Sequence, residues 1–194
     1  MTADVRSPGR RWKAAAAALV LLAAMLVWRG GTAVRELGAA MRYRGEPTES
    51  VSTRRPLKDA VARPLDGGAA VELGGLERAV LFVFDPACEP TRGNLWNWVD
   101  LLGSAEGRRV RALAVTLDGI PGAAGFWRGL DARVEVVAVD SATMSNRLRV
   151  EATPATLLVE GGAVRRVYAG PLNALAKQDI LEWLHRSPAG AGER

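Results

Sequence analysis

Apolar residues first gather in one unbroken run, Ala14 to Trp28, with Lys13 and Arg29 at its ends. Its 15 residues would make about 22 Å of helix, where a spanning helix uses about 20 residues to cross roughly 30 Å of hydrocarbon. Lys13 and Arg29 can snorkel, and Trp12 and Trp28 stand where an aromatic belt would lie, which makes up part of the deficit. Residues 12–29 are therefore read as a transmembrane anchor behind a basic segment, residues 1–11. The competing reading is a cleaved signal peptide, which has the same basic start. Cleavage after Ala33 would leave Arg29 inside the cleavage region, which argues for the anchor. Residues 30–57 are polar and Arg-rich and read as a linker, with a short helix over Ala33 to Tyr43.

From residue 58 to 187 the pattern is that of one compact domain, followed by a tail, residues 188–194. Val61 to Leu65 and Ala69 to Leu73 are short strand-like runs around Asp66-Gly67-Gly68, a hairpin signal. Ala79 to Phe84 is continuously apolar, as expected of a strand buried on both faces. A loop, Asp85 to Pro90, leads to a helix over Pro90 to Leu102, with Pro90 in the first turn where its missing N–H costs nothing. Leu95, Trp98, Val99 and Leu102 recur at helical spacing as its core-facing stripe.

Further strands are predicted at Arg109 to Leu117, Val134 to Val139, Thr156 to Val159 and Val164 to Ala169. Between them lie a short helix, Pro121 to Leu130, and one capped by Asp140 or Ser141 and running to Leu148. A final helix opens at Pro171 with Leu172, Leu175, Ile180, Leu181 and Leu184 as its apolar residues. Strands alternating with helices and ending in a hairpin argue for an α/β sandwich on a mixed sheet.

Charge changes this picture in one respect. The net charge of +5 resides in the first 55 residues, which carry 10 Lys+Arg against 4 Asp+Glu, while the remainder carries 16 against 17. A nucleic-acid-binding fold would carry its basic stripe on the folded body, so no nucleic-acid partner is expected; the excess flanks the apolar run. Basic residues on the two sides of that run tie, so charge alone leaves its orientation open. One cysteine and one histidine exclude an internal disulfide framework and a Cys/His zinc site; neither a metal nor a cofactor is expected.

The stretch Val80-Leu-Phe-Val-Phe-Asp-Pro-Ala-Cys-Glu-Pro-Thr-Arg-Gly-Asn-Leu95 is similar to the strand, active-site loop and first helix of the thioredoxin-like superfamily. So is Thr153-Pro154-Ala-Thr-Leu-Leu-Val-Glu160, with Gly161-Gly162 and Gly170-Pro171-Leu172 behind it, to that superfamily's later strand, hairpin and final helix. The closer likeness, over about residues 58 to 187, is to membrane-tethered TlpA-like proteins and methylamine dehydrogenase accessory redoxins. Pro154 stands 66 residues after Cys88, which suits the branch with an inserted βα unit. The resemblance implies a thioredoxin-like three-layer sandwich behind the transmembrane helix. It also implies a single pass through the bacterial cytoplasmic membrane with the folded domain outside the cytoplasm. It makes Cys88 the catalytic candidate and puts Pro154, in the cis form, with Thr153 before it, in the substrate groove; from their positions around Cys88, Thr91 and Arg92 join it as catalytic candidates and Pro86 and Trp96 as substrate-binding ones.

The departure from that family is chemical. Where a dithiol enzyme has Cys-x-x-Cys, this chain has Cys88-Glu89-Pro90-Thr91. A first cysteine can attack a disulfide, but release of the mixed disulfide normally falls to the second. The chain holds no other cysteine, so net oxidation or reduction through an internal disulfide is excluded. One-cysteine chemistry remains, in which glutathione, another small thiol or a partner thiol resolves the mixed disulfide. A helix N-terminus and Arg92 favour the Cys88 thiolate, while Asp85 and Glu89 oppose it. A reactive cysteine and an inert, half-buried one both fit the sequence, and the second makes the domain a redox-inactive binding or assembly module.

Thr91 is placed to donate to the thiolate or to serve the helix backbone. Trp96 and Trp98 cannot both face the core, so Trp96 is expected to be exposed near the active-site loop. His185 lies outside any motif. A peroxiredoxin is excluded because the position three before the cysteine is Asp85 rather than threonine, and no Gly-rich phosphate loop joins strand to helix.

Overall fold

The computed structural model describes residues 49–186, apart from Gly107, Arg109, Gly129, Asp131 and Ala132. The expected anchor, basic segment and tail, and the helix over Ala33 to Tyr43, lie outside the described residues. Among the described residues no helix is long and apolar enough to cross a membrane.

The strands are β1 (Glu49–Pro56), β2 (Val61–Pro64), β3 (Val71–Glu72), β4 (Arg78–Val83), β5 (Arg111–Leu117), β6 (Glu135–Val139), β7 (Ala155–Glu160) and β8 (Ala163–Ala169). The helices are α1 (Glu89–Ala105), α2 (Ala123–Phe126) and α3 (Ala174–His185), with a 3-10 turn at Leu73–Gly75 and a π-helical segment at Thr143–Leu148. The strands form one eight-stranded sheet in the order β1-β8-β7-β4-β5-β6-β2-β3. β4, β5 and β6 run parallel, β7 pairs antiparallel with β4, and β8 pairs antiparallel with β7. The mixed α/β sheet is therefore as the sequence predicts.

Strand β4 is buried at all six positions, and its side chains alternate between two cores. Ala79, Leu81 and Val83 join Leu113, Val137 and Leu157 on one face, covered by Leu57, Leu73, Leu76 and Leu148. Val80, Phe82 and Phe84 join the other, under Trp98, Leu101, Ile180, Trp183 and Leu184 of α1 and α3. On that side Trp98 packs against Phe82 and Trp127 with ring centroids 5.4 Å and 5.8 Å away. Phe126 stacks on Phe84 at 5.2 Å.

Polar side chains pin the helices to the sheet. Arg78 donates to the Trp183 carbonyl in the last turn of α3 and lies 4.4 Å over the Trp183 ring. Arg166 and the Tyr168 hydroxyl both donate to Asp179, tying β8 to α3. Burial and the bond to Asp179 push the Tyr168 hydroxyl above the ordinary tyrosine range. Burial alone would raise the Asp179 carboxyl, but Tyr168 and Arg166 outweigh it and hold it below the usual carboxylate range. Asn94 accepts from the Leu172 backbone N–H at 2.8 Å, and Asn97 donates to the Leu172 carbonyl at 3.0 Å, which joins α1 to the chain entering α3.

Four expectations are corrected. Glu49–Pro56, within the segment read as a linker, is the edge strand β1, pairing antiparallel with β8 from Glu49↔Ala169 to Pro56↔Ala163. Its partner β8 offers an open row of backbone donors and acceptors, which a polar strand fills without needing an apolar face. Helix α1 buries Thr91, Asn94, Trp98, Leu101, Leu102 and Ala105, leaving Leu95 and Val99 only partly covered. Asn94 is drawn inward by its bond to Leu172, which rotates the buried line away from the purely apolar one. Leu175 is 78% exposed, because α3 begins at Ala174 with Asn173 as its cap and turns Ala176, Ile180 and Leu184 to the sheet. The helix expected over Pro121 to Leu130 has only four helical residues, Ala123–Phe126, since the Phe126 and Trp127 rings must both reach the β4 aromatics.

The Gly161-Gly162 turn is required by packing. A Cβ on Gly162, whose φ is +67°, would lie 2.1 Å from the Gly74 carbonyl oxygen. That close approach lets Gly162 N–H bond Leu76 O at 2.8 Å.

A carboxyl whose folded pKa is depressed stabilises the fold above its unfolded value, about 4, and that stabilisation is lost as the pH falls through the folded one. Asp179→Asn is therefore expected to cost about 1–2 kcal/mol at neutral pH, from the Tyr168 and Arg166 donors it leaves poorly matched. It should also reduce the loss of stability below about pH 4. Urea unfolding of both proteins across this range checks both effects.

Candidate active site at Cys88

The end of β4 delivers the site. Phe84 N–H bonds the Val115 carbonyl at 2.9 Å and extends the parallel pairing one residue beyond β4. The chain then turns on Asp85, whose carboxylate accepts from Ala87 N–H at 2.8 Å and whose carbonyl accepts from Cys88 N–H at 3.1 Å. Cys88 is the N-cap residue of α1, in extended conformation, and Pro90 occupies the first turn. Its carbonyl accepts from Arg92 N–H at 3.3 Å.

The β4–β7 register sets Val83 opposite Ala155, so the residues just beyond β4 meet those just before β7. Cys88 is half-buried, and its Sγ–H donates to the Thr153 carbonyl at 3.3 Å. The Thr153–Pro154 bond is cis, as expected from the resemblance, and the Pro154 carbonyl accepts from Gly170 N–H at 2.9 Å.

The structure thus brings Cys88, Pro86, Arg92, Thr153 and Pro154 together. Arg92 is exposed, and its Nε donates to the Pro86 carbonyl at 2.9 Å, which closes the loop ahead of Cys88. Thr91 follows neither expectation: it is fully buried, and its hydroxyl has no hydrogen-bond partner among the described residues. The helix turns it into the core. Trp96 is 63% exposed, two turns along α1 and about 12 Å from Cys88 by helical rise. It therefore flanks the thiol without lining it. His185 bonds the Leu181 carbonyl one turn back through Nδ1, away from the site.

A pocket of about 360 Å³ has Thr153 in its lining. Phe84, Leu117, Ile120, Met144 and Val150 give it an apolar lining, and Asp85 and Glu151 are the charged residues in it. Its residues come from four separate stretches of chain and share no spacing, so no pattern along the sequence could single them out. Asn94 was missed for a related reason: a polar residue at a helical core position has meaning only once Leu172 is beside it.

No protein-family model matches the sequence, and no curated protein matches it. Solved structures do. The crystal structure of a DsbF homologue from Corynebacterium diphtheriae aligns with a TM-score of 0.58 at 14% identity, covering 72% of this chain and 94% of that one. DsbF of Mycobacterium tuberculosis, solved in mixed oxidised and reduced forms, aligns with a TM-score of 0.55 at 22% identity, over 66% of this chain and 96% of that one. A secreted disulfide oxidoreductase of Mycobacterium tuberculosis, homologous to E. coli DsbE, gives 0.51 at 16% identity over 64% and 92%. The fold is thioredoxin-like.

Thr91, which the sequence sets against the second cysteine of a Cys-x-x-Cys motif, is buried in the first turn of α1, three residues after Cys88.

The two neighbouring tryptophans separate surface from core. Trp96→Ala is expected to change stability by no more than about 0.5 kcal/mol, whereas Trp98→Ala should cost about 3–5 kcal/mol. Trp98 loses its ring contacts and the 2.8 Å bond from its Nε1 to Thr156 Oγ1. Denaturant unfolding of the two variants checks this.

Proposed function

We propose that this protein is a membrane-tethered, single-cysteine thioredoxin-like protein that exchanges disulfides through Cys88. The observation that carries the reading is the placement of Cys88 Sγ at the N-terminus of α1, 3.3 Å from the Thr153 carbonyl. A thiol held there stands at the mouth of the helix beside the stretch of chain that leads into β7, where a substrate sulfur can approach it. The fold and the names of its structural neighbours, DsbF and a disulfide oxidoreductase, support the same class of chemistry.

The chemistry proceeds in two exchanges. The Cys88 thiolate attacks one sulfur of a substrate disulfide, the Cys88–substrate S–S bond forms, and the other substrate sulfur leaves as a thiolate. A thiolate from outside the chain then attacks the substrate sulfur of that mixed disulfide, forms a new S–S bond with it, and returns Cys88 as a thiolate. Each step breaks one S–S bond and forms another, so no net electrons are gained or lost. When the external thiol belongs to the same substrate, the outcome is disulfide isomerisation. Arg92 orients the loop through Pro86, and Thr153 and Pro154 receive the substrate backbone. Trp96 is the exposed contact for a larger partner.

The apolar run of residues 14–28 supports a single-pass anchor, and the resemblance to membrane-tethered TlpA-like proteins supports placing it in the inner membrane with the domain outside the cytoplasm. The buried threonine where a resolving cysteine would stand favours a second reading, a redox-inactive binding module that uses the same surface.

Acid-quenched, alkylated cell extracts should show higher-mass adducts of the full chain that reductant releases. Cys88→Ser should remove all of them; adducts that persist in Cys88→Ser, or none in either protein, would exclude the exchange reading. Thr91→Cys supplies a neighbour three residues on in the same turn. It should convert two free thiols to none on mild oxidation, by forming a Cys88 to position-91 bridge; two thiols still free would show that the site does not have redoxin geometry.

A further inference from the structure

The pocket beside Thr153 points to the chemical character of the substrate. It is bounded by the residues just after β4, the end of β5 and the turn beyond it, the π-helical segment and the irregular stretch Val150 to Thr153. At about 360 Å³ it lies at the small end of ligand sites, which run from about 300 to 1,000 Å³, and has room for one long side chain. Its lining is apolar within, from Phe84, Leu117, Ile120, Met144 and Val150. Its charged members are two carboxylates, Asp85, half-buried, and Glu151, exposed. No lysine or arginine lines it, and no ion pair holds either carboxylate among the described residues. An apolar channel with an acidic mouth complements a side chain with an aliphatic stem and a cationic head.

Position makes the pocket relevant to exchange. Thr153 both lines it and accepts from Cys88 Sγ, so a substrate whose sulfur meets Cys88 has an adjoining residue at the pocket mouth. We infer that the substrate is a protein or peptide with a lysine or arginine next to its reactive cysteine, and that this side chain enters the pocket between Asp85 and Glu151. The same carboxylates disfavour glutathione, whose two carboxylates would face them, as the disulfide partner. This inference rests on Cys88 being an exchanging thiol.

The test uses the reduced full chain in detergent and three short peptides of the form Gly-Xaa-Cys-Gly, with Xaa arginine, leucine or glutamate. Each cysteine is carried as its mixed disulfide with 2-thiopyridine. Attack by the Cys88 thiolate on the peptide sulfur forms the Cys88–peptide disulfide and releases pyridine-2-thione, which is read by absorbance. Rates are divided by that of the same protein with neutral dipyridyl disulfide.

The arginine peptide should react about three- to tenfold faster than the leucine peptide, the glutamate peptide more slowly than both, and the spread should shrink with added salt. Glu151→Gln should bring the arginine-to-leucine ratio toward one, and Ser145→Lys, a cation added to the exposed lining, should reverse the order. Equal normalised rates for the three peptides, or a preference untouched by both substitutions, overturn the assignment while leaving exchange at Cys88 in place. Absence of any reaction, dipyridyl disulfide included, overturns both.

Discussion

The antiparallel register of β7 on β4 is the constraint on which the site depends. β4 is buried on both faces, so a slip of one residue would exchange Leu81 and Phe82 between cores that differ in shape and partners. That cost locks Val83 against Ala155. The loop after β4 and the residues before β7 then have no choice but to meet. Cys88 and Thr153 are 65 residues apart in sequence and in hydrogen-bond contact in the fold. The thiol's environment is in this sense a by-product of core packing.

Around that register the helices are held by mixed means. Aromatic packing covers the sheet between α1 and α2, and it sets position without fixing direction. Direction comes from the polar pins: Arg78 on the end of α3, Asp179 between Tyr168 and Arg166, and Asn94 with Asn97 on Leu172. Asn94 and Asn97 match the backbone N–H and carbonyl of Leu172, and Asp179 accepts from the buried Tyr168 hydroxyl, so loss of a partner there leaves a polar group poorly matched and costs more than the bond itself contributes. Asn94 has a double role. It joins α1 to the entry of α3 and shares the buried face of the helix with Thr91, three residues earlier.

That burial gives the threonine its chemical consequence. A hydroxyl cannot take part in disulfide exchange, and Thr91 is out of reach of solvent. Under the exchange proposed for Cys88, the thiol can enter a mixed disulfide and cannot leave one unaided. On that proposal, residues that choose and hold a partner count for more than in a dithiol scaffold, because the partner supplies the second half of the chemistry.

The central strands were legible in the sequence, because a two-face-buried strand is continuously apolar and Ala79 to Phe84 has no other use for that pattern. So were the helix after Cys88, the Gly161-Gly162 turn, and the identities of Cys88, Thr91 and Pro154, since one cysteine and one Thr-Pro pair stand out by residue type alone. The sequence also determined that no internal disulfide can form. Tertiary structure alone decided the rest. β1 has the polar composition of a linker and becomes a strand only because β8 presents an open edge. Helix α1 buries a line containing Asn94 because a partner backbone waits there, and Leu175 is exposed because the cap at Asn173 sets where α3 begins. The acidic-mouthed pocket draws on four stretches with no shared period. Local pattern reports what a residue prefers; only the sheet register and the bonds between distant segments decide what it meets.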